Sequence, residues 1–281
     1  MKAIESDLSS SDVFDKHLGH FASPQGPHLT ERTQALGAWL DQRAALGTWP
    51  YARALEGPPG PEARIRGQHG ALIDGVNFGS QDYLGLASHP AVREAAVRAL
   101  REMGPHAASS PMLMGHTVLS RRLEEELGGV LGMEHVLLFP TGWAAGFGLI
   151  VGLVRPNDHI LIDQLAHACL MLGARAATAN HSVFRHNNVQ DVRRRLARIR
   201  AKDTRNAILV VSEGLFSMDS DSPDVAGLQA ACREYGAVLM VDVAHDFGAS
   251  GPGGTGQIGL QGMLGQVDLV MGSFSKTFAS N

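Results

Sequence analysis

Cysteine is scarce: Cys169 and Cys232 are the only two in 281 residues. Two thiols cannot build a disulfide framework, and the scarcity fits a reducing compartment, the cytoplasm. An excess of positive charge is also missing. Lys and Arg number 24 against 28 Asp and Glu, a net charge of −4. Without a basic field, nucleic acid is not an expected partner. No apolar run approaches the roughly 20 residues that span a bilayer. The first residues, Met1 to Asp7, carry no apolar signal core. Neither a membrane partner nor export is therefore expected. What remains is ordinary for a globular chain with a sizeable core: 44% hydrophobic and 19% charged residues. Glycine is abundant, at 33, and many glycines close apolar runs, where loops bend round a ligand.

Residues 1–62 differ from the rest. They carry Ser and Pro, a helical pattern over Leu29–Leu46, and the breaker Gly57-Pro58-Pro59-Gly60-Pro61. This reads as an N-terminal arm and linker, followed by one domain over 63–281. That domain opens on a hairpin: Ala63–Arg66, a turn near His69-Gly70, then Ala71–Ile73 and Val76–Phe78. Beyond Pro90, helices and short apolar strands alternate. Helices are predicted over Pro90–Met103, Ser120–Leu131 with Ser120 as cap, Trp143–Val154, from near Ala166, over Val189–Arg200 and over Asp224–Tyr235. Strands are predicted at Val136–Phe139, His159–Ile162, Ser182–Phe184, Ala207–Ser212, Val238–Val241 and Leu269–Met271. The fold class is therefore α/β, with a mainly parallel sheet covered by helices on both faces. Ligands in such sheets bind at the carboxyl ends of the strands.

The polar residues at those ends form the candidate site. Lys276 follows a strand within Gly272-Ser273-Phe274-Ser275-Lys276-Thr277, an amine beside two hydroxyls. That suits a lysine forming a Schiff base with an aldehyde cofactor whose phosphate the hydroxyls hold; a surface lysine is the plainer alternative. Asp242 ends another strand, in Val238-Leu239-Met240-Val241-Asp242. A carboxylate there needs a cation nearby, and a protonated pyridine nitrogen is one. It could equally cap a helix. Asp242 and His245 could ligate a metal, but no third ligand stands at a helpful spacing, so no metal is expected. Thr141-Gly142-Trp143 joins strand to helix and could offer backbone amides to a phosphate, or be an ordinary turn and cap. His167 could stack on an aromatic cofactor or be a loop histidine. Ser217 could be a further hydroxyl ligand or a turn residue.

Five stretches carry a family resemblance: Gln81 to Pro90 (Gln-Asp-Tyr-Leu-Gly-Leu-Ala-Ser-His-Pro), Leu165-Ala166-His167-Ala168, Glu213 to Asp219, Asp242-Val243-Ala244-His245 and Ser273-Phe274-Ser275-Lys276. Together and in this order they resemble the α-oxoamine synthases, pyridoxal-5′-phosphate enzymes of the aspartate aminotransferase fold (fold type I). The resemblance runs from about Gly67 to Asn281. It implies that Lys276 holds the cofactor and moves the α-proton, that Asp242 pairs with the pyridinium nitrogen and that His167 stacks on the ring. It places Ser217 and His245 near the ring hydroxyl, and Thr141, Gly142, Trp143, Ser273 and Ser275 round the phosphate. The implied reaction condenses an amino acid with an acyl thioester, from coenzyme A or a carrier protein, in a homodimer whose site the loop Gly104–Thr117 helps to build. Transamination, carbon–carbon cleavage or a non-catalytic partner subunit are the competing readings.

The departures fall on the substrate side. Gln81 stands where the family has Asn, Pro111 takes an arginine's position, Asp-Asp-Ala-His becomes Asp242-Val243-Ala244-His245, and Thr141-Gly142-Trp143 replaces Ser-Gly-Phe/Tyr. A specialised acyl donor on a carrier protein fits that pattern at least as well as a standard coenzyme A thioester. The chain ends five residues after Lys276. The family's C-terminal small domain is thus expected to be missing, and these residues to be a fragment of a longer enzyme.

Overall fold

A computed structural model describes residues 12–67 and 70–280. The chain divides after Phe78 into two compact units. In the first, helices α1 (Asp12–Asp15) and α2 (Gln34–Ala45) pack round Trp39, which is buried and whose indole N–H donates to the Val13 carbonyl at 3.0 Å. Phe21 and Trp49 stand against it, with ring centres at 5.2 and 5.9 Å. The helix predicted from Leu29 begins instead as a 3₁₀ turn at Glu31–Thr33 and becomes α-helical at Gln34.

Strands β1 (Ala54–Leu55), β2 (Glu62–Arg66) and β3 (Leu72–Val76) form an antiparallel sheet. Cross-strand pairs Arg64–Asp74 and Arg66–Glu56 lace it together. This contains the expected hairpin; His69 of its turn lies outside the described residues. Strand β1 was not foreseen, because two residues give no readable alternation. By pairing with β2 it draws the hairpin into the first unit, so the division falls after Phe78 rather than after Glu62.

The second unit holds a five-stranded parallel sheet, in the order β5-β4-β6-β7-β8, from β4 (His159–Asp163), β5 (His181–Phe184), β6 (Ile208–Glu213), β7 (Val238–Asp242) and β8 (Leu269–Met271). Helices α3 (Pro90–Met103) and α4 (Val118–Leu131) precede it. Helix α5 (Gly142–Leu153) leads into β4, and helices α6 (Ala168–Ala177), α7 (Val189–Arg200), α8 (Val225–Glu234) and α9 (Gly256–Leu260) alternate with the strands. Successive strand residues point to opposite faces, and each face has its own core. Leu161, Val210, Leu239 and Val241 pack on Val192 and Leu196 of α7 and Leu228 of α8. Ile160, Ile162, Val211 and Met240 pack on Ile150 of α5 and Leu170 of α6. Burial on both faces is why these strands read as unbroken apolar runs.

Strand β5 lies on one side of β4, whereas β6, β7 and β8 continue on the other. The topology therefore reverses between β4 and β6, and a crevice opens at their carboxyl ends. Two local expectations fail. Val136–Phe139 forms no strand and is paired into neither sheet, and Leu137 is 75% exposed. An apolar run makes a strand only where a neighbour offers a ladder. Thr117, not Ser120, caps α4; its hydroxyl accepts the Ser120 N–H at 3.2 Å. Among the described residues, no helix is long and apolar enough to cross a membrane.

Candidate active site

At the carboxyl ends of β4, β6, β7 and β8 lies a cleft of about 230 Å³. Its floor at one end is the first turn of α5. Thr141 caps that helix, its hydroxyl accepting the Ala144 N–H at 3.0 Å. The first amides of a helix have no intrahelical acceptor and sit at the positive end of its dipole. Gly142 is required by closeness: a β-carbon there would lie 2.6 Å from Ser273 Oγ. Ser273 and Ser275 bring their hydroxyls to 2.7 Å of each other, and the Ser275 N–H donates to Ser273 Oγ at 3.3 Å. The missing β-carbon lets Ser273 pack against the start of α5, and a helix N-terminus with two hydroxyls beside it can cradle an anion such as a phosphate.

The same cleft holds two buried carboxyl groups. The β6–β7 register sets Glu213 beside Asp242, and both are at most 5% exposed. Asp242 Oδ1 accepts the Ala244 N–H at 2.9 Å. Burial pushes Asp242 up to about 6, against the pull of that hydrogen bond and of Lys276. Glu213 is pushed up to about 8, by burial first and then by Asp242. Glu213 therefore keeps its proton at pH 7, whereas Asp242 is mainly ionised and calls for a cation nearby. Lys276, half-buried in the bend after β8, is close enough to act on both.

His167 caps α6 and is tied at three points. Its N–H donates to Glu213 Oε1 at 2.5 Å, its Nδ1 accepts the Cys169 N–H at 3.3 Å, and Cys169 Sγ lies 3.0 Å from the same nitrogen. The Trp143 ring meets it edge-on, with centres 5.8 Å apart. Burial, then Lys276, lowers the His167 pKa. His245 is held by the Tyr83 hydroxyl, 2.8 Å from its Nδ1. Burial, then Lys276 and His167, pushes His245 down to about 4, so the ring is neutral at pH 7.

The cleft thus gathers Thr141, Gly142, Trp143, His167, Asp242, His245, Ser273, Ser275 and Lys276. Ser217 is not among the residues that line it. The turn after β6 folds Phe216 inward against His186 and leaves Ser217 exposed. Sequence reasoning put Glu213 among the strand-end candidates and both Glu213 and Tyr83 in the family stretches, but gave no specific role to either or to Cys169. A signal existed for Glu213, which closes an apolar strand just as Asp242 does. Tyr83 lies in the family stretch Gln81–Pro90, but nothing in the sequence gave it a partner: it reaches His245 across 162 residues. No group of three or more His, Cys, Asp or Glu among the described residues could hold a metal ion.

A model of the family described as aminotransferase class I and II matches residues 73–281. The chain belongs to that family. Within it, this member is 37% identical to the 8-amino-7-oxononanoate synthase of Saccharophagus degradans over 242 residues, 86% of this chain and 59% of the relative. It is 34% identical to the serine palmitoyltransferase of Bacteroides thetaiotaomicron over 236 residues, 84% and 58% of the two chains. Among solved structures, a serine palmitoyltransferase from S. paucimobilis with bound PLP–myriocin superposes with a TM-score of 0.80 at 32% identity, covering 89% of this chain and 61% of that one. These relatives are α-oxoamine synthases, so the resemblance read from the motifs holds. This aminotransferase-family chain spans about 60% of the length of the curated relatives it matches.

Proposed function

We propose that this chain carries the cofactor site of a pyridoxal-5′-phosphate-dependent acyltransferase that condenses an amino acid with an acyl thioester. The observation that carries the reading is the pairing, in one cleft, of an anion cradle at α5 with two buried carboxyl groups and Lys276. The residues fit the cofactor at both ends. The first amides of α5, with the hydroxyls of Ser273 and Ser275 beside them, suit a phosphate, and Asp242 suits a protonated ring nitrogen.

The first amides of α5 and the hydroxyls of Ser273 and Ser275 would hold the phosphate. Asp242 would keep the proton on the ring nitrogen, and Glu213 would fix His167 against the ring face through its backbone. His245 would meet the ring hydroxyl. Ser217 has no support for that role in its exposed position. Lys276 would attach the aldehyde and then hold and return the proton of the amino acid's α carbon. The chemistry such a cofactor supplies is an electron sink for the charge developing on that carbon.

The substrate side is read from the departures. Gln81 and, in the loop Gly104–Thr117, Pro111 depart from the family where the acyl donor would bind, which fits a carrier-protein thioester at least as well as coenzyme A. Met112, Leu113 and Met114, each at least 78% exposed, support a homodimer that buries them. Cys169 and Cys232 are free and buried, in keeping with a cytoplasmic setting.

Borohydride treatment of the protein incubated with pyridoxal phosphate tests the site. The expected product is a peptide bearing the reduced cofactor on Lys276, detected by mass, and its complete loss in Lys276→Ala. Label on another lysine in the wild-type protein would refute the assignment. Product analysis with amino acids, with and without acyl thioester, separates condensation from transamination.

A further inference from the structure

We propose that Tyr83 is a positioning residue that sets the tautomer of His245, placing the imidazole proton on Nε2. The phenol oxygen lies 2.8 Å from Nδ1, and the two rings stand 6.3 Å apart, tilted by 42°. Nδ1 is thereby engaged, and Nε2 is the nitrogen left to a ligand in the cleft that His245 lines. Which nitrogen of a neutral imidazole carries its proton is set by the bond the other one makes.

The direction of the bond follows from acidity. A phenol is a far stronger acid than a neutral imidazole N–H, and an imidazole nitrogen is a stronger base than a phenol oxygen. The favoured arrangement is O–H donating to Nδ1. Burial raises the Tyr83 pKa, so the hydroxyl keeps its proton. Both partners are held. Asp82 accepts the Leu86 and Ala87 N–H groups at 2.8 and 3.1 Å, and Gly85, at φ 66°, closes the turn after Tyr83. On the other side, the Asp246 and Phe247 N–H groups donate to the Val243 carbonyl, which fixes the loop that carries His245.

The consequence is a fixed N–H donor aimed at an oxygen acceptor in the cleft. With the other tautomer the same nitrogen would present a lone pair and repel that acceptor. What the donor meets rests on the cofactor reading above; the tautomer is a property of the chain alone. The experiment is therefore run on the cofactor-free protein. Histidine is labelled with ¹⁵N, long-range ¹H–¹⁵N correlations report the tautomer at pH 7.5, and His245→Gln assigns the signal. In the wild-type protein Nε2 is expected to be pyrrole-like and Nδ1 pyridine-like and hydrogen-bonded. In Tyr83→Phe, Nδ1 should shift to the position of an unbonded nitrogen and the second tautomer should appear. A pyrrole-like Nδ1 in the wild type would overturn the proposal by itself, and so would an unchanged pattern in a variant shown to be folded by thermal unfolding. Failure of the wild-type protein to bind pyridoxal phosphate would count against the cofactor reading and leave the tautomer result standing.

Discussion

Glu213 and Asp242 make the sharpest demand at the scale of single residues. Each ends an apolar strand, and the register places them side by side. Glu213 is raised from 4.5 to about 8, first by burial. A raised carboxyl opposes folding only when ionised. Its penalty is absent below about pH 4.5, grows as pH rises and is complete above about pH 8. Glu213→Gln keeps an acceptor for the His167 N–H and removes the ionisation. In the cofactor-free protein it should be as stable as wild type near pH 4.5. At pH 8.5 it should gain about 2 kcal/mol, less than the full shift because Asp242 shares the buried charge. Thermal unfolding across pH measures this, and a gap independent of pH would show that Glu213 does not titrate in this range. His167 and Asp242 were legible at this scale because each follows an apolar strand. Tyr83 was not, since its partner comes from a distant loop.

Between elements, His186 is the tie. Its Nδ1 lies 2.8 Å from Asp163 at the end of β4, and its Nε2 2.9 Å from Asp221 beyond β6. Asp163 also accepts the Leu165 and Asn187 N–H groups, so the loop leading to His167 is fixed by the same cluster. Burial pushes His186 down, but the two carboxylates outweigh it and the net shift is upward. A histidine raised in the folded state contributes stability that is fully present below its unfolded pKa, near 6.5, and is lost as pH rises through the folded value. His186→Gln should therefore be less stable than wild type at pH 6, by roughly 1–2 kcal/mol. The difference should shrink steadily towards pH 9, as followed by urea unfolding. A difference that widens with pH would contradict the tie. Helix α7 was readable to the residue because Asn188 caps it through Asp191 and apolar residues recur on one face. Val136–Phe139 was misread because pairing depends on a neighbour the run itself does not specify.

For the whole molecule, the exposed π-helical turn Pro111–Gly115 is the feature a homodimer would cover. Met112 is 92% and Leu113 78% exposed. Sedimentation velocity is expected to give a dimer, and Leu113→Asp to weaken association at least about tenfold by leaving a charge in the interface. A wild-type monomer at micromolar concentration would remove this reading. The parallel sheet, with a core on each face, was legible from the alternation of apolar runs with helical patterns. A separate N-terminal segment was legible too, but not its boundary after Phe78, which depends on a two-residue strand.

The sequence by itself determined the elements of the sheet, the family motifs and the polar residues at strand ends. It could do so because buried parallel strands and helix caps leave local marks in residue type and spacing. Only the tertiary structure decided which of those residues share a cleft. It set Glu213 beside Asp242 through strand register and brought Gly142 against Ser273 by close packing. It also turned Ser217 outward on a closed turn and carried Tyr83 to His245. Register, packing and loop closure join residues far apart in the chain, and no local pattern encodes them.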